Sequence, residues 1–168
     1  MNAYAADKAL CWPDRLDSLR AGRQPYPVHL QLVVSDVCNL ACPLCPYRAT
    51  GYGQNQLFDA RRMLPSEVVR AVLRDCADMG VKGVLFTGGG EPTVHPDLPE
   101  FMAQAQDSGI ATALITNGLL LGRVLDGAIR SRWVRVSLDA ASPETYASVR
   151  PAAGGRQRLG HFFQATLH

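Results

Sequence analysis

Short apolar runs alternate with amphipathic segments along most of this chain, and the alternation predicts its elements. The runs at 28–34 (VHLQLVV), 81–87 (VKGVLFT), 110–116 (IATALIT) and 133–138 (WVRVSL) have strand length and are flanked by turn residues. Between them the apolar period changes to that of a helix. One helix is expected to start at Pro65-Ser66-Glu67, to carry Val68, Val69, Val72, Leu73 and Met79 on its apolar face, and to stop at Gly80. A second opens at Pro96 or Asp97 and closes at Gly109, and a third lies around 124–130. Residues 142–149 and 156–168 also read as helical, as does a short stretch around 8–20. Pro25 and Pro27 make residues 24–27 a stiff connector, since each ring fixes its own φ and restricts the residue before it. Residues 1–27 are therefore expected to form an N-terminal extension, and 28–168 the main domain.

The resulting order is β-α-β-α-β-α-β-α. Strands joined by helices of this length imply right-handed crossovers and a parallel sheet. Ligands in such α/β folds sit at the carboxyl ends of the strands. Every chemically unusual cluster of this sequence falls there: 38–45, 88–92, 116–118 and 137–139. One shared site is expected.

Composition narrows the class. With 168 residues, 47% hydrophobic and 19% charged, this is an ordinary globular composition. A net charge of +2 from 17 basic and 15 acidic residues gives no reason to expect nucleic acid or an anionic membrane as partner. No apolar run approaches the ~18–20 residues needed to span a bilayer. The first 22 residues lack the apolar centre of a signal peptide. A cytoplasmic location is the expectation, and there thiols stay reduced.

Clustered cysteines in that setting read as metal ligands. Cys38, Cys42 and Cys45 lie within one loop, in the run Asp36-Val-Cys-Asn-Leu-Ala-Cys-Pro-Leu-Cys-Pro46. Three thiolates suit an iron–sulfur cluster. A four-iron cube held by three thiolates keeps one iron open to a small ligand. Zinc is the chemical rival, but structural zinc wants four ligands, and His29 and His95 stand in no finger-like spacing. The third possibility is packing, the role expected for Cys76 within its helix and for Cys11 in the extension.

The spacing Cys-x3-Cys-x2-Cys resembles the signature of the radical S-adenosylmethionine (SAM) superfamily. Gly88-Gly89-Gly90-Glu91-Pro92 resembles that family's Gly-Gly-Glu-Pro segment after the second strand. Thr116-Asn117-Gly118 and Ser137-Leu138-Asp139 resemble its third and fourth strand ends. Leu44 stands where the family usually has an aromatic residue.

The resemblance implies an α/β partial (β/α)6 barrel, with about the first four βα units present in this chain. It implies that the cluster's unique iron binds SAM, and that reductive cleavage gives a 5′-deoxyadenosyl radical which takes hydrogen from a substrate. It further implies that carbonyls of Gly88, Gly89 and Gly90 meet the SAM ammonium, with Glu91 adding negative charge. Thr116 and Ser137 have hydroxyls suited to a ribose, or to a turn or cap. Arg150 either holds the SAM carboxylate or caps a helix end. Asp139 faces substrate or caps the next helix, and His95 is expected to be structural.

The loop 47–58, with Arg48, is expected to shield the cluster. The implied partners are a small-molecule or peptide substrate and an electron donor such as flavodoxin or ferredoxin. The subgroup most resembled contains the molybdopterin-precursor and sulfatase-maturating enzymes. A sheet ending at a fourth strand leaves an unpaired edge, so these residues alone are expected to bind SAM poorly and to aggregate. The alternatives are a non-catalytic Fe–S electron carrier or redox sensor, and a zinc-stabilised binding module.

Overall fold

A computed structural model describes residues 11–47 and 58–153. The helix expected over 156–168, most of the loop after Cys45 and the first part of the N-terminal helix lie outside the described residues. Within them the order is α1 (Pro13–Arg20), β1 (His29–Ser35), α2 (Ser66–Asp78), β2 (Gly83–Gly88), α3 (Leu98–Asp107), β3 (Ala111–Thr116), α4 (Leu125–Arg130), β4 (Trp133–Val136) and α5 (Pro143–Val149). The four strands form one sheet in the order β1-β2-β3-β4, each pair parallel.

The helix ends follow local chemistry. After α2 and α3 the chain reverses at Gly80 (φ +70°) and Gly109 (φ +76°), left-handed positions where a side chain would be strained. At α5, Ser142 accepts a hydrogen bond from Thr145 N (3.2 Å) and Pro143 fills the first helical position.

One face of the sheet is covered by helices. Leu32 and Val34 of β1, Val84 and Phe86 of β2 and Leu114 of β3 pack with Val69, Leu73, Leu98, Phe101 and Met102 from α2 and α3. Alternation along each strand sends the intervening side chains to the opposite face. Cys76 is buried in the helix-side core, as its place in the helix predicts. Val68 is a correction: expected on the apolar face of α2, it is 43% exposed, because Val69 and Leu73 take the core-facing positions. Three strands are shorter than their apolar runs: β2, β3, which begins after the buried Ile110, and β4. Val81 is buried ahead of β2, where its N–H bonds Cys76 O (2.9 Å), and Leu138 is exposed beyond β4.

Phe86 and Val68 make a contrasting pair. Phe86→Ala is expected to lower unfolding free energy by about 3–5 kcal/mol. Val68→Ala is expected to change it by no more than about 0.5 kcal/mol. Urea midpoints of the two variants check both.

Candidate functional site

The four strand-end clusters meet along one edge of the sheet, and their contacts are specific. Beginning with the cysteine loop, Ser35 and Asp36 end β1 buried. Asp36 accepts from Arg62 Nη2 (2.8 Å) and Asp59 N (3.3 Å), and its own N–H donates to Arg62 O (2.9 Å). Leu64 N donates to Val34 O (3.0 Å), so the segment returning from the long loop closes against the strand end. Within the loop, Leu40 N donates to Cys38 Sγ (3.4 Å) and Cys45 N to Cys42 O (3.1 Å). All three cysteines are half-buried.

The glycine loop lies directly against this segment. Gly90 N donates to Ser35 O (3.0 Å) and Glu91 N to Val37 O (2.9 Å). A Cβ on Gly88 would sit 2.5 Å from Ser35 O, and one on Gly89 2.5 Å from Asp36 Oδ1; one on Gly90 would strike the carbonyls of Val37 and Asp36. None of the three has a positive φ. The glycines are thus required by close backbone approach to the cysteine loop rather than by left-handed conformation.

Glu91 turns inward. Its side chain is 2% exposed. Oε1 accepts from Thr93 N (3.0 Å), Thr93 Oγ1 (2.6 Å) and Thr116 Oγ1 (2.6 Å), and Oε2 accepts from Asn117 N (2.6 Å). Thr116 Oγ1 in turn accepts from Gly118 N (3.0 Å). The Thr116 proton is therefore committed to Glu91, and the carboxylate joins the ends of β2 and β3.

Asn39, which sequence reasoning missed, completes the connection with Asn117 of the predicted strand-end turn. Asn117 Nδ2 donates to Asn39 Oδ1 (2.7 Å), tying the β3 turn to the residue after Cys38. The other side of the cysteine loop is held by Pro151 and Ala153: Ala41 N donates to Pro151 O (2.7 Å) and Ala153 N to Asn39 O (3.0 Å). Short polar side chains at strand ends, prone to bonding nearby backbone, were the available signal.

Beside this loop stands a charged pair. Arg150 Nε donates to Asp139 Oδ2 (2.6 Å), and Nη2 bonds the same oxygen. Tyr146 is fully buried. Burial pushes the Cys42 thiol above its ordinary pKa, while the positive charge of Arg150 pulls it down. Burial also raises the Tyr146 phenol, again opposed by Arg150. Ser137 continues the β3–β4 pairing, donating from its N–H to Thr116 O (2.8 Å). His95 is buried and structural: Nε2 meets Leu64 O (2.9 Å), Nδ1 accepts from Asp97 N (3.2 Å), and the ring leans on Phe101.

The donor chemistry suits an iron–sulfur cluster. Three thiols are carried on one loop that its neighbours pin on both sides. Among the described residues, no three His, Cys, Asp or Glu side chains form a set that could hold one metal ion. A cube distributes its thiolates over separate irons, so it does not ask them to converge on one atom.

The family model described as the radical SAM superfamily matches residues 32–165. The chain belongs to the radical SAM superfamily. The family's cofactors are a [4Fe–4S] cluster and SAM, and its members are enzymes. An Fe-coproporphyrin III synthase from Methanosarcina barkeri is 33% identical over 139 residues, covering 73% of this chain and 33% of that protein. A GTP 3′,8-cyclase from Chlorobaculum tepidum is 35% identical over 125 residues, covering 72% and 36%. The chain thus spans about a third of the length of these relatives. These matches agree with the subgroup expected from the motifs.

The fold is likewise that of solved radical SAM enzymes. Streptococcus suis SuiB bound to its precursor peptide SuiA superposes with a TM-score of 0.62 at 20% identity, over 96% of this chain and 36% of SuiB. SuiB bound to S-adenosylmethionine gives 0.60 at 20% identity, over 90% and 35%. Among the described residues, no helix of this radical SAM chain is long and apolar enough to cross a membrane.

Because Glu91 accepts four donors, Glu91→Gln forces an amide N–H₂ against hydrogen-bond donors. A loss of about 1–3 kcal/mol of stability is expected. It is read as a lower urea midpoint at unchanged slope.

Proposed function

We propose that this chain is the cofactor-binding part of a radical SAM enzyme, in which Cys38, Cys42 and Cys45 hold three corners of a [4Fe–4S] cluster and leave the fourth iron to SAM. The observation that carries this reading is the pinned three-thiol loop lying against a glycine segment that tolerates no side chain. Together the bound cofactors supply one-electron cleavage of SAM and the hydrogen-abstracting radical that follows.

The chain's own residues have distinct tasks. Carbonyls of Gly88–Gly90 would meet the SAM ammonium, while the absence of side chains lets the segment close on the cysteine loop. Glu91 and Thr116 act through placement, holding the loops after β2 and β3 in register. Ser137 offers its hydroxyl to the ribose. Arg150, oriented by Asp139, receives the SAM carboxylate as a charge-assisted contact. The buried Leu40 and Tyr146 form the dry side of the loop.

The substrate is a small molecule or a peptide. GTP 3′,8-cyclase stands for the first kind among the relatives, while a PqqA peptide cyclase from Xanthomonas euvesicatoria, 36% identical over 98 residues, and SuiB with SuiA stand for the second. A small redox protein such as flavodoxin or ferredoxin would deliver the electron. We place the protein in the cytoplasm, where the thiols are kept reduced before cluster assembly.

Anaerobic reconstitution tests the reading. Wild-type chain should turn brown and take up about four irons, and Cys42→Ala should lose most of them while its far-UV circular dichroism stays unchanged. A colourless protein with one zinc, or full iron loading by Cys42→Ala, contradicts it.

A further inference from the structure

Arg135 is the one Lys, Arg, Asp or Glu side chain in the four described strands (HLQLVVS, GVLFTG, ATALIT and WVRV). Its neighbour Val134 packs on the helix-side core, so alternation turns Arg135 to the other face of the sheet. That is the face not covered by the described helices. Pairing places Arg135 opposite Ile115, and Val33 opposite Thr87 on the adjoining strands. Arg135 is exposed, and no carboxylate among the described residues pairs with it. By contrast, Arg62, Arg70, Arg130 and Arg150 each hold one.

We infer that Arg135 binds an oxyanion of the substrate, a carboxylate or a phosphate, one layer below the SAM site. The inference rests on the radical SAM reading, because it uses Ser137 to locate the ribose. Ser137 is two residues further along the same face, about 7 Å away at strand rise. A substrate whose hydrogen is taken near that ribose occupies the space over Ile115, Thr87 and Arg135. Those neighbours carry no charge, and a substrate lying over them excludes water. A guanidinium enclosed in that way needs a counter-charge. Its planar fork of donors matches a carboxylate or phosphate edge in two parallel hydrogen bonds.

The same face supplies a reporter. Trp133 lies two residues before Arg135, and the chain's other tryptophan is Trp12. In a Trp12→Phe background, Trp133 fluorescence is titrated with glutarate and with pyrophosphate at constant ionic strength, using full chain without cluster. A saturable change with either probe is expected, and the probe that works identifies the anion as carboxylate or phosphate. Arg135→Gln should weaken that binding at least tenfold, and Arg135→Lys, which keeps the charge and loses the fork, by a smaller factor. No saturable change with either probe, or equal binding by Arg135→Gln, overturns the inference. The Lys variant carries the test if the Gln variant does not fold; undiminished binding by it then overturns the two-bond recognition. Cys42→Ala in the same background separates the two readings. It should leave the anion titration intact, so its full iron loading would reject the cluster proposal alone.

Discussion

The cysteine loop has no regular structure of its own, and its shape depends on the backbone of the glycine segment pressed against it. Gly90 N and Glu91 N bond the carbonyls of Ser35 and Val37, and the glycines leave no room for a Cβ. This contact joins the end of β1 to the end of β2. The buried Glu91 carboxylate then joins β2 to β3 through Thr116 and Asn117 N, and the Asn117 side chain returns to Asn39 beside Cys38. The circuit is closed: strand ends, glycine loop, turn and cysteine loop hold one another.

Such a circuit has a functional logic. A cluster ligated by three thiolates has one iron whose chemistry is set by what approaches it, so the loop has to be positioned independently of that ligand. Satisfied polar networks in a low-dielectric setting resist local opening, and removing one member exposes the others. Glu91 contributes here as a buried acceptor for four donors, which separates it from the groups assigned to the ligand itself. The Arg150–Asp139 pair stands near Cys42 of the same loop, where the positive charge of Arg150 acts on its thiol.

Much of this was legible in the sequence. Four strands and the helices between them followed from periodicity, and Gly80 and Gly109 marked real helix ends. The three cysteines and the glycine run announced a site because they fell at strand ends. The internal wiring was not legible. Asn39 and Asn117 are 78 positions apart, and Asp36 and Arg62 are 26 apart. Nothing local distinguishes a carboxylate that will face a ligand from one that will be buried beneath it, as Glu91 is. Val68 failed for a related reason: a helical face about five apolar residues wide leaves some of them at its margin, and packing against the sheet decides which.

In the proposed function, three thiolates leave one iron of the cluster for SAM. Electron–nuclear double resonance tests it on the reduced, reconstituted chain, with SAM labelled with ¹⁵N at its amino group and present in large enough excess to offset weak binding. The account predicts a hyperfine coupling from that nitrogen to the cluster. A reduced cubane whose spectrum is the same with and without labelled SAM would contradict it.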